Sequence, residues 1–394
     1  YFFYFIIIDS LTGGRLVGSV TSFENFAECP LRYYLRYGVD LKEREEFTFS
    51  PVNFGVVLHA VIREVCDEIK KNGESYYLIS EEKRREMVKR SVAAITDIYQ
   101  NSILKDSSRN SFMIKRMEDL ADRTVWAMGE QLKCGDFVPF VFEHKFNMEV
   151  GDGDRKQLMS GTIDRVDICE NDTDVYVRII DYKTGKKDFN IVKTYYGIDI
   201  QLMVYMEAAM KLVAKMRPGK NVIPAGVFYY NISDPIVSAT TESAEEIEDK
   251  IKGELRLKGM VNSDKDIAEK MDNTEGTSLN IPVSRKADGG FDSRRSKVMN
   301  TEQFNMLGRF VDVRAVDTAD RIAGGDIRRS PYKDGQFSSC DRCPYGAVCG
   351  FSVDLPGCNY RKLKKFDDEV LWNNIKEGVD ENGKKMDTGA EERD

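Results

Sequence analysis

Near Phe137 the hydrophobic period of this chain changes from about 3.6 residues to about 2, and that change restricts its fold more than any other feature. Before it, Val57, Leu58, Val61, Ile62 and Val65 recur at helical spacing within 54–70, and Asn72-Gly73 ends that helix. The charged stretch 80–132 keeps a helical period without strand signals. After the change, residues 137–150, 158–168 and 175–183 read as strands. Gly151-Asp152-Gly153-Asp154 separates the first two and Asn171-Asp172 the last two, and turns this short make antiparallel neighbours. A helix over about 193–215 and a buried strand over 222–231 follow. The order helix, three antiparallel strands, helix, strand predicts an α/β domain over 19–366, with a helical insertion at about 72–135 and a further insertion at about 233–325.

Outside that core the pattern is less informative. A helix over 19–37 should be interrupted at Cys29-Pro30, placing Cys29 at a bend. Residues 240–258 and 301–323 read as helices and 281–298 as a hairpin, while 233–298 carry no recognisable chemistry. From Asp367 the chain is charged and contains glycine, so 367–394 are expected to be structureless. The opening run Tyr1–Ile8 is far shorter than the roughly 20 residues needed to cross a bilayer. It lacks the basic start and small-residue cleavage site of a secretory signal. We read 1–18 as the stump of a larger protein, with no membrane association. Eight cysteines without a signal sequence suit the reducing cytoplasm, where thiols ligate metals rather than pair.

Charge adds a constraint. A net charge of -8 opposes nucleic-acid binding by the whole surface. Basic residues nonetheless gather at Lys183, Lys186, Lys187 and Lys193, at Arg328-Arg329, and at 361–365, each of which taken singly is ordinary solvated surface. No G-x-x-x-x-G-K-[ST] loop occurs, which argues against an ATPase in this stretch.

The chemistry begins with Ile179-Ile180-Asp181-Tyr182-Lys183-Thr184-Gly185 at a strand end. Successive strand residues alternate faces, so Asp181 and Lys183 share a side and Tyr182 points away. Antiparallel pairing through the Asn171 turn can bring Asp164, in Gly161-Thr162-Ile163-Asp164-Arg165-Val166-Asp167, beside Asp181. Two carboxylates so close repel unless a proton or cation lies between them, and a hard ion such as Mg²⁺ suits the gap. A water acidified by that ion and positioned by Lys183 could attack a phosphodiester. His59 lies beside the apolar stripe of its helix, a common setting for a packed interior histidine, and Gln201 and Tyr205 share a helix face. Glu143 is a further candidate carboxylate, but alternation alone leaves its direction open.

Near the end stands Cys340-Asp341-Arg342-Cys343-Pro344-Tyr345-Gly346-Ala347-Val348-Cys349. Thiolates at this spacing can converge on one soft metal centre. A fourth ligand could be Cys358, giving a local zinc site, or Cys29, joining the two ends of the chain; spacing does not decide between them.

Taken together, the His59 helix, the Gly-x-Ile-Asp-Arg-x-Asp strand, the Ile-Asp-Tyr-Lys-Thr-Gly strand and the Gln-x-x-x-Tyr helix resemble the RecB-like branch of the PD-(D/E)xK nuclease superfamily. The resemblance implies a restriction-endonuclease-like core. It also implies that His59, Asp164, Asp181 and the Tyr182 carbonyl bind Mg²⁺ or Mn²⁺, that Lys183 is catalytic, and that Gln201 and Tyr205 support the site or the DNA. The segment Phe26-Ala27-Glu28-Cys29-Pro30-Leu31-Arg32-Tyr33-Tyr34-Leu35-Arg36-Tyr37-Gly38, with Pro331-Tyr332-Lys333 and Cys349-Gly350-Phe351, is similar to the nuclease region of the AddB type found in bacterial helicase–nucleases. That likeness implies a [4Fe–4S] cluster on Cys29, Cys340, Cys343 and Cys349, stapling the ends and leaving Cys358 without a role. It further implies an exonuclease acting on single-stranded DNA ends during recombinational repair of double-strand breaks, in a heterodimer with an AddA-type helicase–nuclease. Two other readings are a compact iron–sulfur nuclease of CRISPR adaptation, which the long insertions oppose, and a catalytically silent DNA-binding or scaffold module, which intact Asp164, Asp181 and Lys183 oppose.

Overall fold

The computed structural model describes residues 17–42, 51–98, 108–150, 157–238 and 242–380. A short strand, β1 (Val17–Ser19), leads into α1 (Val20–Glu28), whose first turn is capped by Ser19 Oγ accepting from Ser22 N at 3.1 Å. Cys29 is extended (φ -166°, ψ 118°), and Pro30 restarts the chain as α2 (Pro30–Tyr33) because its fixed φ suits a first helical position. A π-helical turn over Tyr34–Gly38 follows. The expected interruption at Cys29-Pro30 is present.

The expected first core helix is α3 (Pro51–Lys71), and two long helices form the inserted layer after it, α4 (Glu81–Ile98) and α5 (Ser108–Lys133). The predicted strands then appear as β2 (Val138–Val150), β3 (Gln157–Glu170) and β4 (Asp174–Lys183). They are antiparallel in succession, with Val141 opposite Val166 and Arg165 opposite Ile180. The stretch expected as one helix over 193–215 is two, α6 (Ile191–Tyr195) and α7 (Gln201–Met216). Gly197 at φ 75° turns the chain between them, a conformation that penalises any residue with a Cβ. The break matters because it makes Gln201 the first residue of α7.

β5 (Asn221–Asn231) returns parallel to β4. After it come α8 (Ala244–Glu254), β6 (Lys258–Asn262), α9 (Lys265–Met271), β7 (Val298–Met299) and α10 (Thr301–Ala323). The helix expected over 240–258 therefore stops early, since Lys258 already belongs to a strand. The hairpin expected over 281–298 is instead a set of turns with two isolated bridges, Thr277–Ser284 and Arg285–Phe291. The C-terminal part carries β8 (Tyr332–Asp334), β9 (Phe337–Ser338), α11 (Gly346–Cys349), β10 (Arg361–Lys362) and α12 (Asp368–Asp380). The structureless end expected from 367 fails for α12, whose Leu371 and Ile375 are buried in the core shared with α10; the remainder of that stretch, 381–394, and the opening run 1–16 lie outside the described residues.

The main sheet runs β3-β4-β5-β6-β7, with β2 on the other side of β3 along its length and β1 pairing Val17–Ser19 with Leu158–Ser160. Strand alternation splits the interior into two cores. Val177 and Ile179 join Phe23, Met203 and Phe310 beneath α1, α7 and α10, whereas Ile180 and Tyr182 join Leu58, Val61 and Leu120 beneath α3 and α5. In the second core Asp167 is fully buried between two buried guanidiniums. Arg165 Nε and Nη2 donate to its Oδ1 and Oδ2 at 2.7 and 2.6 Å, and Arg178 Nε donates to Oδ2 at 2.9 Å. The second Asp of the Gly-x-Ile-Asp-Arg-x-Asp strand is thus a structural counter-ion, not part of the same site as Asp164.

Removing that carboxylate would leave two buried cations without their partner. We expect Asp167→Ala to cost about 3–5 kcal/mol of unfolding free energy. Urea denaturation at neutral pH measures this, and a loss below about 1 kcal/mol would contradict the account.

Candidate active site

The β3–β4 seam builds the site. Its last ladder pair is Arg165–Ile180, so Asp164 and Asp181 occupy the next opposed positions. Both are nearly out of water, at 8% and 2% exposure. Asp164 Oδ2 accepts from Tyr182 N at 2.6 Å, and its Oδ1 lies 3.4 Å from His59 Nδ1. Helix α3 supplies His59 because its apolar face packs on β4, with the His59 and Tyr182 rings edge to face at 5.9 Å.

Glu143 completes this group. In β2, Phe142 opposes Arg165 and His144 opposes Ile163, while Glu143 between them takes φ 48°. A left-handed backbone at a residue with a Cβ costs about 1–2 kcal/mol. Glu143 Oε1 lies 3.7 Å from His59 Nδ1. Donor atoms of His59, Glu143 and Asp164 lie within 4.8 Å of one another, and among the described residues no other His, Cys, Asp or Glu side chains form such a group of three.

Electrostatics mark the same spot as short of positive charge. Burial, then the neighbouring Asp164 carboxylate, push Asp181 up to about 7, against the pull of Lys183. Burial disfavours a charged His59, but hydrogen bonds to Asp164 and Glu143 outweigh it and raise the imidazole to about 10. One imidazole nitrogen beside converging carboxylates is a donor set that fits a divalent cation.

Lys183 stands on the other side of Asp181. Its Nζ is 2.5 Å from Asp181 Oδ2 and donates to Gln201 Oε1 at 2.9 Å. Gln201 Nε2 donates to Asp181 Oδ1 at 3.2 Å and to Tyr205 Oη at 2.9 Å. Tyr205 can reach in because Gly161 leaves room: a Cβ there would sit 2.8 Å from the Phe146 ring and 2.9 Å from that of Tyr205. His59, Glu143, Asp164, Asp181, Lys183, Gln201 and Tyr205 therefore share one neighbourhood.

Sequence reasoning missed Glu24. From α1 its Oε1 accepts from Ile200 N and Gln201 N at 2.9 and 3.1 Å, capping α7 across 176 positions of chain. Beside it, Asp199 Oδ1 accepts from Tyr229 Oη at 2.6 Å and lies 3.0 Å from Lys187 Nζ. No local pattern announces a contact of this range. The only available signal was a charged residue inside the otherwise buried face of α1.

At the far end of α1, Cys29, Cys340, Cys343 and Cys349 line a single small cavity, walled by Leu31, Leu35, Pro331 and Phe351. Burial, then the neighbouring thiols, push Cys340 and Cys349 above the ordinary thiol range. Leu31 N donates to Arg328 O at 3.2 Å and Arg361 donates to Ala27 O, tying the two parts of the chain together. Cys358 is buried but does not line this cavity.

Comparison with known proteins agrees with the geometry. The family model described as PD-(D/E)XK nuclease superfamily matches residues 18–350. Proteins named as one of the subunits of an ATP-dependent helicase/deoxyribonuclease are similar throughout: that of Lachnoclostridium phytofermentans is 35% identical over 98% of this chain and 34% of its own length. Those of Caldanaerobacter subterraneus and Clostridium acetobutylicum are each 34% identical, over 98% and 95% of this chain and 34% and 33% of theirs. The chain thus spans about a third of the length of these relatives.

Burial pushes Glu24 up to about 7, against the pull of Lys187. Its folded value lies above its unfolded one, so the stability it contributes is full below about 4.5 and is lost as pH rises through about 7. Glu24→Gln keeps an acceptor without a titrating group. Wild type should therefore lose stability relative to Glu24→Gln between pH 4.5 and 7.5, by up to about 3 kcal/mol; parallel urea curves would contradict this.

Proposed function

The chain belongs to the PD-(D/E)XK nuclease superfamily, and we propose that it is the DNA-hydrolysing part of a helicase–nuclease, a Mg²⁺- or Mn²⁺-dependent exonuclease that trims single-stranded ends during recombinational repair of double-strand breaks. The observation that carries this reading is the convergence of Asp164 and Asp181 on one side of His59 and Lys183 on the other, at the ends of adjoining strands. A phosphodiesterase needs such a pairing of cation-binding oxygens with a fixed ammonium.

His59, Asp164, Asp181 and the Tyr182 carbonyl would hold the cation, with Glu143 as a further oxygen donor. When bound, such a cation acidifies water and offsets charge on the scissile phosphate. Lys183 is held in place by Asp181 and Gln201, so its ammonium can orient the attacking water and face the charge that develops on phosphate. Gln201 presents its oxygen to Lys183 and its amide hydrogens to Asp181 and Tyr205, which restrains the rotamers of all three. Tyr229 and Lys187 brace the floor beneath them, Lys187 Nζ lying 4.5 Å from the Tyr229 ring centroid.

We assign Cys29, Cys340, Cys343 and Cys349 to a [4Fe–4S] cluster. Their shared cavity supports Cys29 as the fourth ligand in preference to Cys358. The choice of a cluster over a single zinc follows the likeness of the Cys29 segment and of Cys349-Gly350-Phe351 to the AddB-type nuclease region. Closing a loop of about 310 residues from Cys29 to Cys340 would remove chain entropy worth about 5–6 kcal/mol. The names of the relatives favour a complex with a helicase partner, which we take to be of the AddA type, in the cytoplasm. No helix among the described residues is long and apolar enough to cross a membrane.

Lys183→Ala should reduce Mg²⁺-dependent cleavage of end-labelled single-stranded DNA by about 10²–10⁴-fold while leaving iron content and visible absorption intact. Cys29→Ala should bleach the anaerobically purified protein and weaken its folding and DNA binding. Wild-type cleavage by the lysine variant would sink the catalytic assignment, and full iron in the cysteine variant would sink the cluster assignment.

A further inference from the structure

The turns between α9 and β7 form an exposed basic arm at the catalytic edge of the sheet. Residues 285–297 hold five basic and two acidic side chains, in a chain whose 66 acidic residues outnumber its 58 lysines and arginines. Two of the five are engaged. Arg285 anchors the segment by donating to Ala268 O and Thr274 O at 2.9 and 2.8 Å. Lys297 Nζ lies 2.6 Å from Asp188 Oδ2. Lys286, Arg294 and Arg295 are exposed, and none has a side-chain hydrogen bond or ion pair among the described residues.

Topology sets where this arm lies. β7 runs parallel to β6, β6 antiparallel to β5, and β5 parallel to β4 with Tyr229 opposite Asp181. The start of β7, where the arm ends, therefore lies toward the same sheet edge as the C-terminal ends of β4 and β5, which carry Asp181 and Lys183. The Lys297–Asp188 bridge fastens the arm five positions past Lys183, and exposed Lys186 stands two positions before Asp188. Free cations thus flank the bridge on both strands of chain.

The arm is also rigid beneath its charges. Asp292 Oδ1 accepts from Arg294 N and Arg295 N at 2.9 and 3.2 Å, Ser296 N donates to Asp292 O at 2.9 Å, and Ser284 N donates to Ser296 Oγ at 2.9 Å. A fixed backbone under two adjacent unpaired guanidiniums is suited to phosphate oxygens, which arginine meets with a planar fork of donors. Phe291 packs against the core, so the arm has no aromatic platform for bases. Its contact would read charge and not sequence.

We propose that Arg294 and Arg295, with Lys186 and Lys286, grip the phosphate backbone of the DNA strand presented to Asp181 and Lys183. The proposal rests on the nuclease reading above. Its test is the salt dependence of binding of a fluorescent oligodeoxynucleotide to the full-length protein in EDTA, where cleavage is suppressed. R294A/R295A should lower the slope of log Kd against log salt by about 1.4 and weaken binding on the order of 20-fold at 0.1 M salt. R294K/R295K should keep the wild-type slope. K115A/R116A, the same charge change on the outer face of α5, should alter neither quantity. A wild-type slope in R294A/R295A, an equal fall in K115A/R116A, or a lysine pair as weak as the alanine pair would each overturn the arm. If wild type binds with the expected slope but does not cleave in Mg²⁺, the nuclease reading fails and the arm stands; if it cleaves while R294A/R295A binds unchanged, the arm alone fails.

Discussion

Asp164 and Asp181 stand side by side, nearly out of water, at the end of an antiparallel seam, and their repulsion has to be met by something positive. The rest of the architecture supplies it. α3 brings His59 and β4 continues two residues to bring Lys183, whereas β2 bends to add a third carboxylate, Glu143, which deepens the demand for positive charge. Burial makes the arrangement effective, because charges act strongly only where water does not screen them. Burial, then the neighbouring Asp164, raises Asp181, while hydrogen bonds to Asp164 and Glu143 favour a charged His59 against its burial.

Helix α1 links this centre to the cysteines. Glu24 caps the first residue of α7, and that residue, Gln201, holds Lys183; five positions later the same helix ends at Cys29. Whatever fixes Cys29 against Cys340, Cys343 and Cys349 thereby fixes the end of a helix on which the position of Lys183 depends. The cysteine-lined cavity and the carboxylate site are joined through one nine-residue helix.

Two carboxylates of the β2–β3 pair have different fates. Glu143 holds a left-handed backbone inside a strand and stands beside His59 and Asp164. Asp167, by contrast, is committed to Arg165 and Arg178 and never reaches the site. A single strand therefore carries two aspartates of the same chemistry with opposite duties, divided by which face of the sheet each one meets.

The order of strands and helices, the shared side of Asp181 and Lys183 and the bend at Cys29-Pro30 were legible in the sequence, because they follow from periodicity and from the covalent geometry of neighbouring residues. The pairing of Asp164 with Asp181 was legible too, since a short turn leaves little choice of register. The direction of Glu143, the cavity that takes Cys29 and leaves out Cys358, the break that makes Gln201 a helix start, the cap from Glu24 and the placement of the 285–297 arm were decided only by tertiary structure. Each depends on a backbone dihedral or on a contact between residues far apart in the chain, and neither leaves a mark on the local pattern of polar and apolar side chains.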